Sequence, residues 1–405
     1  MSRHRCTLVL ASLLAVLPAP AWAGFTETLP QGMFLFDVGY SRSALSEAWD
    51  NDGDRASLVD EIVRYEPGGG RQGTLVPDAT VVYDLMVFQL QYGVLDALSV
   101  GVGLPLVLRT AITPSFGWIP GDYQPALGRA YSQDDFWQWA ASMGQSKPGS
   151  WSGNRGVPGD VVLGARLRFS DWIPGLSGSE WSLALQVLGA LPTGRQADPE
   201  EVITAGTTMW DLHAQGDVGL HLGVDRTFRQ ALDDRLRLGV EVFYEALLPH
   251  RYTTPTGILN PLLLHLSPYV GKTYVIDPGD FLGGSFQVDG VPWRGPALPT
   301  WLCGHDPARA EALPPLLTLS VRYTFTGLLQ SDWQSGSDLW DFTQEQRWRP
   351  GYKNVLTGTL LASLLRVGVP LQLYVSYRSL GLLPGRNTRA ADVLTVGVRV
   401  PAKLW

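Results

Sequence analysis

Period-two alternation of apolar and polar residues, sustained over residues 159–248, is the feature that most limits what this chain can fold into. Val161, Leu163, Ala165, Leu167 and Phe169 make one apolar face, with Gly164, Arg166, Arg168 and Ser170 between them. Trp181, Leu183, Leu185 and Val187 then stand opposite Ser182, Ala184, Gln186 and Leu188. A third run sets Trp210, Leu212, Val218, Leu220, Leu222 and Val224 against Asp211, His213, Asp217, His221 and Asp225. The fourth sets Leu236, Leu238, Val240, Val242 and Tyr244 against Arg235, Arg237, Glu241 and Glu245. Such alternation is a strand signal. Strands of soluble proteins usually run about five to six residues, and the third run is far longer. Apolar faces of this length suit lipid, and the charged faces suit a water-filled lumen. The fold class expected is all-β: a transmembrane antiparallel up-and-down β-barrel with long extracellular loops.

The ends of the sequence place such a barrel. Arg3, His4 and Arg5 precede an apolar run over residues 8–17, followed by Ala21-Trp22-Ala23 and Gly24. That order is a secretory signal with a small-residue cleavage site, so residues 1–23 are expected to be a leader and 24–405 one barrel domain. Only 17% of residues are charged, against roughly 25% in soluble proteins, while 45 Gly and 15 Trp are unusually many. The net charge is −7, and losing Arg3 and Arg5 makes it two units more negative, which argues against a nucleic-acid partner. Cys303 is the one cysteine left after the leader, so no internal disulfide is expected. No run approaches the roughly 20 apolar residues of a spanning helix.

Strand counting is constrained by parity. Eleven strands are legible, and both termini of an outer-membrane barrel are expected in the periplasm, so an even number is required. Residues 280–289, where Leu282, Gly284, Phe286 and Val288 alternate with Gly283, Ser285 and Gln287, supply the missing one and give twelve. Fourteen is the alternative if residues 262–276 supply two more. The loops carry three further signals. Ser132-Gln133-Asp134-Asp135 before Phe136, Trp137, Trp139 and Ala140 is a capping-box pattern that predicts a short aromatic helix, either on the rim or folded over the pore. Asp50, Asp52, Asp54 and Glu61 sit at positions 1, 3, 5 and 12 of a calcium-loop template, although its sixth position is Arg55 rather than Gly. Trp405 ends the chain with an aromatic residue after an amphipathic strand, a signal expected to engage the barrel-assembly machinery.

Candidate chemistry lies on the inward faces: Arg166, Arg168, Asp211, His213, Asp217, His221, Asp225, Arg235, Arg237, Glu241, Glu245 and Arg322 are the expected lumen lining. His213 and His221 are eight residues apart on one strand, too far to share a metal ion at about 3.3 Å per residue. No serine lies on that strand to act as a nucleophile beside a histidine, and neither an enzymatic activity nor a cofactor is expected. If the third and fourth runs pair as a hairpin, odd positions must oppose odd ones. Asp225 is then expected near Arg235 and Arg237, and Asp217 near Glu241.

Four local patterns carry a family resemblance: Thr28-Leu29-Pro30-Gln31-Gly32, Tyr92-Gly93-Val94-Leu95-Asp96-Ala97-Leu98-Ser99, Gly159-Asp160-Val161-Val162-Leu163-Gly164 and Leu191-Pro192-Thr193-Gly194-Arg195. With these the sequence resembles the outer-membrane transporter family named for the "MetA-pathway of phenol degradation". The resemblance implies an outer-membrane channel for small hydrophobic or aromatic molecules, and it names no binding residue. The alternatives are a port for polysaccharide export and a structural barrel without transport. The partners expected are outer-membrane lipid, the assembly machinery and a small-molecule substrate.

Overall fold

A computed structural model of the chain describes residues 24–403 except 60, 67–68, 123–127, 143–146, 154, 195–215, 254–271, 296–313 and 336–349. Twelve strands form a closed antiparallel barrel: β1 (Met33–Trp49), β2 (Arg71–Leu95), β3 (Leu98–Pro120), β4 (Val161–Arg168), β5 (Trp181–Leu191), β6 (Asp217–Thr227), β7 (Leu236–Leu247), β8 (Phe281–Trp293), β9 (Leu317–Leu328), β10 (Tyr352–Ser363), β11 (Gln372–Ser379) and β12 (Thr388–Lys403). Each pairs with its sequence neighbour, and β12 pairs with β1 from Met33↔Lys403 to Trp49↔Thr388 to close the sheet. The strand inferred from parity is β8, seated between β7 and β9. The fourteen-strand alternative is overturned. Residues 273–277 belong instead to a separate three-stranded sheet with 250–253 and 332–334, and 262–271 lie outside the described residues.

Alternation along the strands has its expected consequence. Val218, Leu220, Leu222, Val240, Val242, Tyr244, Leu282, Leu319 and Val321 are exposed on the outer face. Apolar side chains in a continuous band around a closed sheet suit lipid, because the sheet satisfies its own backbone groups and leaves no edge. The turns at 93–98, 227–236 and 363–372 lie at one end with both termini of the barrel, as does the longer connection between Trp293 and Leu317, and the connections after β1, β3, β5, β7, β9 and β11 lie at the other. In barrels of this kind the short-turn end is periplasmic. Since Lys403 completes the closing ladder opposite Met33, deleting residues 403–405 is expected to lower the fraction recovered as heat-modifiable barrel in membranes. Insertion at the full-length level would count against a role for this end.

Strands β2 and β3 run 25 and 23 residues, so their hairpin stands well past its neighbours at the long-loop end. Pro77, Pro114 and the polar residues around them hide this extension in the sequence. The capping-box helix, α1 (Gln133–Ser142), packs on it. The Ser132 hydroxyl donates to Asp135 Oδ2 at 2.7 Å, and the Asp135 amide donates back to Ser132 Oγ at 3.3 Å. Arg129 hydrogen-bonds to the Asp135 carboxylate and, together with the Ser132 donors, holds its pKa well below the usual carboxylate value. The charged cap is therefore present above the unfolded carboxylate pKa and is lost only as pH falls through the lower folded one. Phe136 and Ala140 bury against Leu75, Phe116 and Trp118. Leu75 shares its side of β2 with Val81, Leu85, Val87 and Gln89, the face that lines the barrel interior. The aromatic helix thus lies on the inner face of the projecting hairpin, at the long-loop end.

Candidate functional site: the barrel lumen

Two unlike walls face each other across the interior. On the wall made by β1, β2, β3 and β12 the inward face carries apolar clusters among polar residues such as Asp37, Ser41, Gln89 and Arg399: Leu45, Val81, Tyr83, Ile112 and Ala391 form one buried cluster. Leu85, Val87 and Val107 form another with Val157. The opposite wall, made by β4 to β9, is charged. Strands β6 and β7 pair odd with odd, as the two polar faces require, with Asp225↔Gly239, His221↔Phe243 and Gly219↔Glu245. This register puts the His221 ring between two carboxylates, with Nδ1 3.4 Å from Glu241 Oε1 and Nε2 3.4 Å from Glu245 Oε1. The imidazole also stacks on Phe243, with centroids 5.2 Å apart. Arg322 on β9 reaches across to donate to Glu241 Oε2 at 2.7 Å and to Ser285 Oγ at 3.3 Å. Arg166 donates from Nε to Gln186 at 3.0 Å, its direct cross-strand partner.

Several expected neighbours are displaced. Asp217 pairs with Leu247 and so falls diagonal to Glu245 rather than near Glu241. Its carboxylate accepts the Ala190 amide at 3.1 Å. The cause is the β6–β7 connection, where a helical turn over Arg229–Leu232 and two left-handed residues, Asp233 and Asp234, lengthen the turn. That geometry also removes Arg235 from the lumen: it is exposed in the turn, its amide bonded to Leu232 O. Arg237 remains inward, diagonal to Asp225. Arg168 sits at the short-turn rim, bonded to Asp171 and to the Asp96 carbonyl. Asp211 and His213 lie outside the described residues. The calcium-loop candidates are not gathered into a cage. Asp50 Oδ1 accepts the amides of Asp52 and Asp54 at 2.9 Å each, Asp52, Asp54 and Glu61 are exposed, and no group of three potential ligands occurs among the described residues.

The largest feature that alternation could not reveal is residues 24–32, which fold into the lumen from the short-turn end. Phe25 and Thr26 are 4% and 2% exposed, and the glycines on the charged wall make their room. A Cβ on Gly223 would lie 2.7 Å from Phe25 Cβ, and one on Gly239 would lie 2.8 Å from Phe25 Cδ2. Arg322 stacks over the Phe25 ring at 4.5 Å, Glu27 pairs with Arg237, and Arg166 Nη1 donates to the Glu27 carbonyl at 3.1 Å. The motifs quoted for the family resemblance meet here. Thr28 Oγ1 donates to Asp96 O at 2.6 Å, the Gln31 amide to Asp96 Oδ1 at 2.9 Å, the Leu29 amide to Ser99 Oγ at 2.7 Å and the Gly32 amide to Gly93 O at 2.9 Å. The other two motifs meet at the opposite end, where Asp160 accepts the Gly194 amide at 2.7 Å and Thr193 Oγ1 accepts the Val161 amide at 2.9 Å.

Chemically this site holds charge and apolar surface side by side. Among the described residues His221 approaches carboxylates rather than a hydroxyl or thiol, which is an ion-pair arrangement and not that of a base beside a nucleophile. Neither a protein-family model nor a curated protein matches the sequence. Among solved structures the chain is similar to the COG4313 outer membrane channel from Pseudomonas putida F1, at 12% identity over 94% of this chain and 99% of that one, with a TM-score of 0.53. It also has looser likenesses to the NanC porin (8% identity, 90% and 98% covered, TM-score 0.35) and to the CymD monoaromatic hydrocarbon channel (10%, 93% and 89%, TM-score 0.32). At these identities the likeness to the first is one of fold, that of an outer-membrane β-barrel.

Proposed function

We propose that the chain is an outer-membrane channel for small amphipathic molecules, with an aromatic or otherwise hydrophobic body and a polar end. The observation that carries this reading is the two-sided lumen. Leu85, Val87, Val81 and Ile112 pack into buried apolar clusters on one side of the interior, while Glu241, His221, Arg322 and Arg166 set fixed charges on the other. A purely hydrophilic pore has no use for the first wall, and a lipid-like passage has no use for the second. The aromatic helix α1 above the inner face of the β2–β3 hairpin suits capture of planar apolar groups at the mouth. This reading agrees with the resemblance to the phenol-degradation transporter family, and the signal-like leader and terminal Trp405 fit export to the outer membrane and insertion there.

Proteoliposome flux is the test. Aromatic solutes bearing a polar group are expected to enter faster than sugars of equal mass. Glu241→Gln is expected to change the discrimination between cationic and anionic members of the series while leaving heat-modifiable folding intact. Equal flux of sugars and aromatics, unaltered by Glu241→Gln, would overturn the amphipathic reading. A polysaccharide port predicts passage of the sugars instead.

A further inference from the structure

Asp225 is 3% exposed inside the barrel, yet among the described residues no Arg, Lys or His nitrogen lies within salt-bridge distance, 4.0 Å, of its carboxylate. Nearby charges are committed elsewhere: Arg237 pairs with Glu27, and Arg322 with Glu241. A buried carboxylate without a counter-ion is costly. What surrounds this one is the beginning of the described chain. The Phe25 amide donates to Oδ1 at 3.2 Å, and the Thr26 amide and hydroxyl donate to Oδ2 at 2.8 and 2.7 Å. Gly24 is buried against the same carboxylate, where a Cβ would collide with it and lie 2.9 Å from Arg237 Cδ. Successive backbone nitrogens thus wrap Asp225, and the next in the series is that of Gly24. The sequence puts Ala21-Trp22-Ala23 immediately before it, with small residues where a signal peptidase requires them.

We propose that the Ala23–Gly24 peptide bond is hydrolysed on export and that the Gly24 α-ammonium so formed is the counter-ion of Asp225, latching residues 24–32 in the lumen as a plug. Water supplies a hydroxyl to the Ala23 carbonyl carbon and a proton to the Gly24 nitrogen. The resulting amine, whose ordinary pKa is about 8, takes up a second proton at neutral pH. The ammonium brings a full positive charge to a lumen carboxylate whose described hydrogen-bond partners are all neutral donors. Glycine is the residue whose lack of a side chain lets that nitrogen come so close. Processing then does more than remove a leader, because it makes the group that seats the plug. This inference concerns the plug alone and stands whatever solute the channel passes.

The experiment uses protein extracted from outer membranes in detergent. The intact mass, and that of the tryptic peptide 24–42, should show a chain beginning at Gly24. Reductive methylation at neutral pH, followed on that peptide by mass spectrometry, should modify the α-amine about tenfold more slowly in the folded barrel than after heat unfolding, as a buried, ion-paired ammonium requires. Asp225→Asn, which keeps one of the two acceptor oxygens and removes the charge, should bring labelling of the folded protein up several-fold. A chain that begins elsewhere overturns the proposal, and so does an α-amine that labels equally fast folded and unfolded. If Asp225→Asn folds and leaves the slow labelling unchanged, Asp225 is not the counter-ion.

Discussion

Replacing Arg399 by Leu is expected to destabilise the barrel by about 3–5 kcal/mol, the usual result of removing one partner of a buried ion pair. Arg399 and Asp37 face each other across the β1–β12 seam, 0% and 3% exposed. Arg399 Nε donates to Asp37 Oδ2 at 2.6 Å, Tyr374 donates its hydroxyl to Asp37 Oδ1 at 3.0 Å, and the guanidinium stacks on the Tyr374 ring at 4.5 Å. The seam is where the first and last strands of the chain must find each other, so this pair joins the two ends of the barrel. Without Arg399, the Asp37 charge stays buried with a phenol as its partner. A lower unfolding midpoint in urea, read by heat-modifiable mobility in lipid, is the expected measurement. The double variant Arg399→Leu with Asp37→Asn should recover a substantial part of the loss, since it removes the stranded charge. A single variant as stable as the parent protein would show that the pair contributes nothing at the seam.

How much of this was legible beforehand depended on whether a residue's role repeats along a strand. The alternation of Val218 to Val224 and of Leu236 to Tyr244 directly marked β6 and β7, because lipid imposes the same demand at every second position. Parity then located β8, which has glycines at Gly283 and Gly284 and a correspondingly weak pattern of its own. The capping box located α1, since its signal is four residues long and local. Register was legible only in its parity. The left-handed Asp233 and Asp234 shifted the pairing of β6 with β7, exchanging Glu241 for Glu245 beside Asp217 and sending Arg235 into solvent. Residues 24–32 have no period at all. Their role rests on contacts with Asp96, Ser99 and Asp225, up to 200 positions away, and the motif at Thr28–Gly32 stood out only through its family resemblance. The Arg399–Asp37 pair was equally hidden, because a single inward charge on an outwardly apolar strand looks like any lumen residue.

Removing residues 25–31 is expected to open the periplasmic half of the lumen. The side chain of Phe25 fills the space over Gly223 and Gly239, and the backbone of the segment crosses the interior between Asp225 on β6 and Ser99 on β3. The barrel itself begins at Met33, so the twelve strands and the closing ladder remain when the segment is cut out. Arg166, Arg237 and Arg322 then lose their contacts with Glu27 and Phe25 and face water beside Asp225, and the loss of the Glu27 carboxylate makes the freed passage less negative. The measurement that tests the account most directly is single-channel recording in planar bilayers of the full chain and of the chain lacking 25–31. The full-length protein should show small conductance, and the shortened one a conductance several-fold larger, with a shift toward anion preference. Equal conductance in the two, whether both open or both closed, would contradict the account of a plugged channel.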